Sequence, residues 1–375
     1  MKILFVTASS GSQGGGELYL LKLAGAMKRL GHAVALACSR HSRMDRLAEQ
    51  FGECGDVFRF EYTNTYDRPL KSLHYVVSRQ ADFPGLDEAV ASWAPDVLHL
   101  NKQNLEDGLD LLKSFYEQSV PVVQTIHILR TPSALGARFG EVRDWVAKRF
   151  LRKHPMHTIV IASEYECKRF SALELIPAGL IERIINGVPP VCESPGYNGE
   201  TPLRFVAVAR LHEQKRPLLW LEWVSRLSKL LPDAQFDWIG GGVLQSVFEA
   251  KIRELDLRNV RFHGWLDEPE AFISQAHYML HSAEYEGLPF ALLEAISAGI
   301  PLIVAPGIYQ TQAELNPAMI DIDQVWKTPE ILTSTTEYNR LRENARSLYH
   351  EHFSVDEMCE KTVLFYAKAI TEAQR

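Results

Sequence analysis

The sequence has little cysteine, and its cysteines are scattered. Five cysteines lie far apart among 375 residues, and no C-x-x-C pair occurs. An odd, dispersed set is typical of free thiols in a reducing compartment and does not have the spacing of a disulfide framework or a zinc site. We therefore predict a cytoplasmic protein.

Long hydrophobic runs are also missing. The longest apolar stretches, such as 301–306, have the length of a strand and fall far short of the roughly 20 residues that a membrane-spanning helix needs. The opening residues 1–10 have the pattern of a strand and lack the regions of a signal peptide. The net charge of −7 is the opposite of the basic excess that is usual in nucleic-acid-binding proteins. These absences favour a soluble protein that does not bind nucleic acid.

Strand-like and helical segments alternate through both halves of the chain. The strand candidates are 2–8, 33–39, 96–101, 120–127, 157–163, 203–210, 234–241, 260–265, 277–282 and 300–306. Apolar strands alternating with helices predict parallel sheets covered on both faces, and the chain length favours two domains.

The segment 186–202 is rich in Pro, Gly, Asn and Ser, which is typical of a linker between domains. We predict an α/β protein with two Rossmann-like, doubly wound parallel-sheet domains, 1–186 and 187–354, that face a cleft. An amphipathic helical segment, 355–375, follows the second domain, and the pattern alone does not indicate where it packs.

Three glycines, Gly14, Gly15 and Gly16, follow the first predicted strand and open the first helix. Glycine allows close approach of the backbone, and a helix N-terminus favours an anion. A pyrophosphate site and a simple tight turn fit these residues equally well. The spacing is not the G-x-G-x-x-G of dinucleotide-binding folds, so a nicotinamide cofactor is not indicated.

Two cations, Arg210 and Lys215, follow the first predicted strand of the second half. Ligands of open α/β sheets bind beyond the carboxyl ends of the strands. Cations at that end would neutralise a diphosphate leaving group. Taken alone, the pair fits a solvated basic loop better.

The most specific stretch is 281–306, which contains two carboxylates near a predicted helix start. Glu286 precedes a helix that begins near Leu288 and Pro289, and Glu294 lies two turns further on. The helix start would bind phosphate, Glu286 would bind hydroxyls of a sugar, and Glu294 would bind those of a ribose. Each glutamate alone is more often a surface charge, but their setting between two apolar strands favours binding.

Six motifs in this order resemble those of retaining glycosyltransferase family 4, which has the GT-B fold, and the resemblance extends over nearly the whole chain. They are G-G-x-E at 14–17, G-H-x-V at 31–34, N-G-V at 186–188, R-x-x-x-x-K at 210–215, a glycine turn at 240–242, and two glutamates eight residues apart at 286–294. The resemblance implies a first domain that binds the acceptor and a second that binds the nucleotide-sugar.

The resemblance also implies residue roles. Arg210 and Lys215 would hold the diphosphate, Glu286 the transferred sugar and Glu294 the ribose. His127 matches a histidine that touches the transferred sugar, although a lone histidine at a strand end is more often structural. The residues that it implies for the nucleotide-sugar site are Gly14, Gly15, Gly16, Arg210, Lys215, Glu286, Gly287, Leu288, Pro289 and Glu294.

Relatives return their final helix to the first domain, which is what the resemblance implies for 355–375. One departure from the family concerns the loop after the last strand, where relatives commonly carry two glycines. Here Gly307 is followed by Ile308 and Tyr309, although Glu314 is retained. This difference puts the family's donor-sugar contacts in that loop in doubt.

No metal-ligand cluster is recognisable, and 96–101 holds no D-x-D motif. We therefore expect neither a metal nor a cofactor, with the leaving diphosphate neutralised by Arg210, Lys215 and helix N-termini. Retention of anomeric configuration is implied by the family alone. The expected acceptor is a saccharide or a lipid-linked saccharide, and analogy indicates polysaccharide assembly.

Two other activities remain open. A nucleotide-sugar epimerase of the same fold would isomerise its donor without an acceptor. A non-catalytic nucleotide-sugar-binding relative is the other alternative, and the joint presence of His127, Arg210, Lys215, Glu286 and Glu294 argues against it.

The segment 138–154 is basic and carries interspersed aromatic and aliphatic residues. Such a helix could lie on an anionic membrane that holds a lipid-linked acceptor, at the inner face of the membrane. A helix packed on the first sheet with a solvated basic rim is the alternative, which we favour.

Overall fold

The structure, a computed structural model, describes residues 1–11, 14–65, 67–68, 82–116 and 119–374. Its contacts divide into two compact units, one formed by 1–186 with 355–375 and the other by 187–354. Arg375, the last residue of the predicted terminal segment, lies outside the described residues. No helix in these ranges is long and apolar enough to cross a membrane.

The first unit is built on a seven-stranded parallel sheet. Its strands are β1 Lys2–Thr7, β2 Ala33–Ser39, β3 Asp56–Phe60, β4 Val97–Asn104, β5 Val122–Ile128, β6 His157–Val160 and β7 Ile181–Arg183. They lie in the order β3-β2-β1-β4-β5-β6-β7, so the direction of winding reverses between β1 and β4. The helices are α1 Gly15–Arg29, α2 Asp45–Gly52, α3 Pro84–Trp93, α4 Leu109–Phe115, α5 Gly140–Lys153 and α6 Glu164–Ser171.

The second unit repeats this plan with a six-stranded parallel sheet. Its strands are β8 Arg204–Val208, β9 Gln235–Ile239, β10 Val260–Gly264, β11 Tyr278–His281, β12 Leu302–Val304 and β13 Met319–Asp321. Their order is β10-β9-β8-β11-β12-β13, with the reversal between β8 and β11. The helices are α7 Pro217–Leu230, α8 Gln245–Glu254, α9 Glu270–Ile273, α10 Phe290–Ser297, α11 Pro306–Thr311, α12 Ile322–Lys327 and α13 Thr335–His352.

The last helix, α14 Val355–Ala373, belongs to the first unit, where it packs against α1 and β5. The hydroxyl of Tyr366 is hydrogen-bonded to Nδ1 of His99 in the buried sheet. At the start of the helix, Asp356 lies 2.9 Å from Arg29 on α1. These polar contacts accompany a buried apolar face that includes Met358 and Phe365.

The predicted fold class, two Rossmann-like doubly wound domains, is confirmed by the two parallel sheets. Three strands that the apolar pattern did not predict, β3, β7 and β13, each lie at an edge of a sheet. An edge strand has fewer fully covered positions, and β7, with the sequence IER, has none that is buried. Such strands lack the apolar run by which a central strand is recognised.

Candidate active site

Arg210 follows β8, at the point where the winding of the second sheet reverses. A ligand is expected beyond the carboxyl ends of the strands at such a point. The backbone beside Arg210 is held by the turn after β9, because the Leu211 N–H donates to the Gly241 carbonyl at 2.8 Å. The guanidinium of Arg210 forms neither an ion pair nor a hydrogen bond with any residue that the structure describes. It is therefore available to an anion.

A glycine turn, 240–242, allows the two loops to approach so closely. Gly240 has a φ of +121°, and a Cβ atom there would lie 2.2 Å from the carbonyl oxygen of Ala209. Gly242 has a φ of +153°, and its Cβ would lie 2.6 Å from the carbonyl oxygen of Leu211. Since a larger residue fits neither position, the turn holds the chain on both sides of Arg210.

The carboxylate of Glu286 lies in a buried cluster with two basic side chains. Its Oε1 accepts a hydrogen bond from Lys215 Nζ and another of 3.0 Å from His281 Nε2. Only 7% of the Glu286 side chain and 16% of the Lys215 side chain are exposed. Burial alone would raise the pKa of Glu286, but the charge of Lys215 and the hydrogen bond and charge of His281 outweigh it and lower the pKa to about 2. The carboxylate is therefore ionised near neutral pH.

Both of these contacts fall on the same oxygen of Glu286. Its Oε2 makes no hydrogen bond within the described ranges. The Lys215 ammonium has three donor protons, and the contact with Glu286 uses one of them. The cluster can thus offer an acceptor to a hydroxyl group and a donor to an oxyanion at the same time.

The loops that carry Lys215 and Glu286 are hydrogen-bonded to each other. Ser282 Oγ donates to the carbonyl of Lys215 at 2.8 Å. Gln214 Nε2 donates to the carbonyl of Tyr285 at 2.8 Å, and the N–H of Glu284 donates to the carbonyl of Gln214 at 2.8 Å. These loops follow the adjacent strands β8 and β11, so the parallel pairing of the strands brings the motifs together.

Gln312 lies beneath the loop that carries Glu286. Its Nε2 donates to the carbonyl of Gly287 at 2.8 Å and to that of Glu286 at 3.2 Å. The side chain is fully buried, and its Oε1 has no hydrogen-bond partner among the described atoms. Gln312 follows α11, the short helix that occupies the position of the family's glycine loop. The two hydrogen bonds of Gln312 therefore support the Glu286 loop.

Glu294 lies on α10, which begins at Phe290 with Pro289 as the residue before it. Its side chain is buried, with 6% of the residue exposed. Gly287 and Leu288 form the approach to the helix, and the carbonyl of Pro289 accepts the N–H groups of Leu292 and Leu293 at 3.2 and 3.4 Å. The predicted phosphate-binding stretch is therefore a loop that leads into a helix N-terminus.

In the first unit, Gly14 precedes α1, and Gly15 and Gly16 are its first residues. The first N–H groups of a helix have no intrahelical partner. At Gly16 a Cβ atom would lie 2.0 Å from Nε2 of Gln103, so a larger residue there would displace the Gln103 side chain. Its carbonyl accepts a hydrogen bond of 2.8 Å from Asn101 Nδ2. Gly16 is therefore closely packed against two residues of β4, Asn101 and Gln103.

His127 is joined to this glycine turn through Asn101. Its Nε2 lies 2.8 Å from Asn101 Oδ1, while the amide group of Asn101 donates to Gly16. Burial lowers the pKa of His127 to about 3, so the ring is neutral. The proton then lies on Nε2, and Nδ1 is an acceptor without a hydrogen-bond partner in the part of the chain that the structure describes. Tyr19 packs edge-on against the ring at 4.9 Å between centroids.

The structure thus brings the predicted residues together in two groups, one in each unit. Lys215 and Glu286 are in contact in the second unit, and His127 is linked to the glycines in the first. The sequence reasoning missed His281, Asn101 and Gln312. His281 is a polar residue at the end of β11, and Asn101 is a polar residue within the buried strand β4; both positions are unusual and could have been noticed in the sequence. Gln312 carries no such signal.

Segments of the chain are similar to curated proteins. An α-1,3-galactosyltransferase of Escherichia coli, named for UDP-Gal and α-D-GlcNAc-diphosphoundecaprenol, is 30% identical over 105 residues, which are 27% of this chain and 27% of that protein. An uncharacterised glycosyltransferase of Methanocaldococcus jannaschii is 30% identical over 100 residues, 26% of this chain and 25% of the relative. The matches span about a quarter of the length of these relatives.

Solved structures share the fold over nearly the whole chain. The crystal structure of Anabaena HepE in complex with UDP and glucose has a TM-score of 0.74 at 18% identity and covers 98% of this chain and 100% of that one. Sucrose-phosphate synthase of Thermosynechococcus elongatus has a TM-score of 0.74 at 16% identity, covering 99% and 100%. These likenesses confirm the predicted GT-B fold.

Two family models match the chain one after the other. The glycosyl transferase 4-like domain matches residues 14–187, and glycosyl transferases group 1 matches residues 193–316. The boundary between them falls close to the boundary between the two units. The chain belongs to the group 1 glycosyl transferases and has a glycosyl transferase 4-like first domain.

Proposed function

We propose that this chain is a retaining, metal-independent glycosyltransferase that moves a sugar from a nucleoside diphosphate sugar to a saccharide or lipid-linked acceptor in polysaccharide assembly. The observation that carries the proposal is the Lys215–Glu286–His281 cluster at the point where the second sheet reverses. An ionised acceptor beside a cation suits a ligand that combines hydroxyl groups with phosphates.

Arg210 and Lys215 bind the diphosphate of the donor in this mechanism. The bond between the anomeric carbon and the diphosphate oxygen breaks, and negative charge develops on the leaving group. Cations placed in advance stabilise that charge without reorganising. Since Arg210 has no partner among the described residues and Lys215 uses one proton on Glu286, both can donate to phosphate oxygens. We propose that they carry out the neutralisation without a metal.

Glu286 binds hydroxyls of the transferred sugar through Oε2. With a pKa near 2, it is unsuited to donate a proton at neutral pH. We therefore assign proton transfer to the leaving phosphate, which accepts the proton of the acceptor hydroxyl as the new glycosidic bond forms on the same face. Glu294 binds the ribose, and the loop at Gly287–Pro289 binds phosphate.

The first unit binds the acceptor in this proposal and contributes His127 and Gly14–Gly16 to the donor. The neutral His127 offers Nδ1 as an acceptor for a sugar hydroxyl, and the amide of Gly15 donates to phosphate. The relatives support the class of ligand, since HepE is described with UDP and glucose and the Escherichia coli galactosyltransferase with UDP-Gal and a diphosphoundecaprenol acceptor.

We further propose that the enzyme is cytoplasmic and contacts the inner face of the membrane through α5. The segment 138–154 contains two kinds of apolar residue: Val146, Phe150 and Leu151 are buried, whereas Phe139, Val142 and Trp145 are exposed by 61%, 58% and 62%. Arg138 lies over the ring of Phe139, and Arg149 over that of Trp145. Exposed apolar residues beside cations suit an anionic lipid surface.

The test of the proposed activity is a panel of nucleoside diphosphate sugars incubated with and without saccharide and lipid-linked acceptors. Acceptor-dependent release of the nucleoside diphosphate, with a product of retained configuration in the presence of EDTA, is expected. Isomerised sugar from donor alone would identify an epimerase. Donor binding without turnover under any acceptor would indicate a binding protein instead.

A further inference from the structure

Three neighbouring strands of the second unit carry polar residues at their amino-terminal ends. Arg204 and Gln235 are the first residues of β8 and β9 and are paired with each other, while Arg261 on β10 is paired with Asp237. Side chains alternate along a strand, so Gln235 and Asp237, two residues apart on β9, lie on the same face of the sheet. Their paired residues on the neighbouring strands, Arg204 and Arg261, lie on that face as well. A parallel sheet covered on both faces normally has apolar residues at such positions. The polar set therefore marks a part of this face where the apolar covering is incomplete: Arg261 is exposed, Arg204 and Gln235 are half-buried, and only Asp237 is buried.

A cavity of about 600 Å³ lies over these strand ends. It is lined by Arg204, Gln235, Arg261, Gln275 and His277 and by residues of the segment 195–202. The cavity is partly open to solvent, and its volume is sufficient for a small molecule. The cavity lies at the amino ends of the strands, whereas Arg210 and Glu286 lie beyond the carboxyl ends. A five-residue strand, about 16 Å long, separates the two positions.

The charges in this cavity are uncompensated. Neither the Arg204 nor the Arg261 guanidinium forms a hydrogen bond or an ion pair with a residue inside the described ranges. The acid on the same face, Asp237, is hydrogen-bonded to His263 at 2.6 Å. The strands β8 and β10 are separated by β9, so they lie about 10 Å apart. Two extended arginine side chains, one from each strand, can reach a common phosphate group between them.

His277 adds a buried donor beside Arg204. Its Nδ1 accepts the backbone N–H of Arg204 at 3.1 Å, and only 5% of the residue is exposed. Burial and the charge of Arg204 lower the pKa of His277 to about 4, so the ring is neutral and its proton lies on Nε2. That N–H has no hydrogen-bond partner in the described chain.

We propose that this cavity is a second ligand site, which binds a phosphorylated small molecule with its phosphate between Arg204 and Arg261. Guanidinium groups match phosphate oxygens in paired hydrogen bonds. The cavity is larger than a phosphate ion requires, and the amides of Gln235 and Gln275 supply partners for the hydroxyl groups of an attached sugar. The site is independent of the glycosyl transfer proposed above.

The test is calorimetric titration of the full chain with glucose 6-phosphate. Binding at one site is expected, with Arg261→Gln and Arg204→Gln each weakening it about tenfold or more, because each removes charge-assisted hydrogen bonds. Arg258→Gln is the matched control, since Arg258 is an exposed arginine close to β10 that does not line the cavity. Glu286→Gln should bind glucose 6-phosphate as the wild type does.

Three results would overturn the site: no binding at millimolar concentration, unchanged binding by Arg261→Gln, or weakened binding by Glu286→Gln. Arg261 is exposed, so its replacement is expected to leave the fold intact. If Arg204→Gln lowers the melting temperature, the binding of Arg261→Gln alone tests whether the site exists. A second titration uses inorganic phosphate. If phosphate binds as tightly as glucose 6-phosphate, the amides of Gln235 and Gln275 do not bind the sugar. Because binding is measured directly, these results do not depend on whether the chain transfers sugar.

Discussion

The ammonium of Lys215 is paired with the carboxylate of Glu286 across 71 residues of sequence, and both side chains are largely buried. The pairing holds both charged side chains in place before a ligand binds. A nucleotide-sugar would therefore not have to immobilise them on binding. Removing one partner leaves the other buried without its counter-charge, which is strongly unfavourable. The contact therefore links the proposed chemistry to the stability of the second unit.

Replacement of Lys215 by alanine should abolish most of the transferase activity. The loss of one contact to the leaving diphosphate is expected to reduce kcat by about 10²–10³-fold, by analogy with other preorganised donors to a developing anion. Steady-state kinetics with the active donor measures this. Lys229→Ala, which removes an exposed lysine on α7, should retain wild-type kinetics. Equal activity of the two variants would refute the assignment of Lys215.

Gln312 is expected to act as a positioning residue. Gln312→Leu removes both hydrogen bonds to the carbonyls of Glu286 and Gly287 and should destabilise the second unit by about 1–3 kcal/mol, since both acceptors lose a partner. If Gln312 holds the loop in the position in which Glu286 binds the sugar, the variant should remain folded and its KM for the donor should rise. Gln324→Leu on α12 is the exposed control. A loss of stability with unchanged kinetics would leave Gln312 with a structural role only.

Gly240→Ala should destabilise the protein, while Gly241→Ala should not. The first substitution places a Cβ atom 2.2 Å from a carbonyl oxygen at a φ of +121°, whereas the second meets its nearest atom at 3.7 Å. Strain of this kind costs about 1–3 kcal/mol. Urea unfolding of both variants provides the comparison. Similar midpoints would show that the turn tolerates a side chain and does not hold the backbone beside Arg210.

Protonation of His127 should contribute to acid unfolding. Its pKa is lowered from 6.5 to about 3 in the folded protein, so between these values the unfolded chain binds a proton that the folded chain does not. The stability contributed by the neutral ring is complete above pH 6.5 and is lost as the pH falls towards 3, with a slope of up to about 1.4 kcal/mol per pH unit.

The variant His127→Gln should therefore show a shallower decline in the free energy of unfolding over this pH window. Denaturant titrations at several pH values measure the difference between the two proteins. The pKa of His99 is also lowered to about 3, mainly by burial and additionally by the charge of His127. The difference between the two curves therefore reports His127 together with its effect on His99. Parallel curves would mean that His127 is not buried in its neutral form.

The exposed face of α5 should bind vesicles that contain anionic lipid. Trp145→Ser should weaken co-sedimentation, and Arg149→Gln should weaken it about fivefold, the effect of one cation near an anionic surface. Tyr165→Ser, at an exposed aromatic residue on α6, is the matched control. Binding that is independent of anionic lipid, or unaffected by either substitution, would remove the membrane from the proposal.

Local pattern was sufficient to predict the α/β class and the central strands, because a strand buried on both faces is an uninterrupted apolar run. The same pattern failed for β3, β7 and β13, which lie at sheet edges where burial is incomplete. The motifs around Arg210, Lys215 and Glu286 each follow a buried strand, but it was their order and spacing, which resemble those of family 4, that indicated a site. Their functional roles stay predictions.

By itself, the amino-acid sequence determined which segments are buried as strands and which charged residues follow them, since both depend on neighbours within a few positions. Only the tertiary structure decided that β8 and β11 are adjacent, that both basic partners of Glu286 contact one oxygen, and that Gln312 supports the same loop. It also placed Arg204 and Arg261 on the same face of the second sheet. Such contacts depend on the order of strands in a sheet, which arises from the packing of the whole unit rather than from any local sequence.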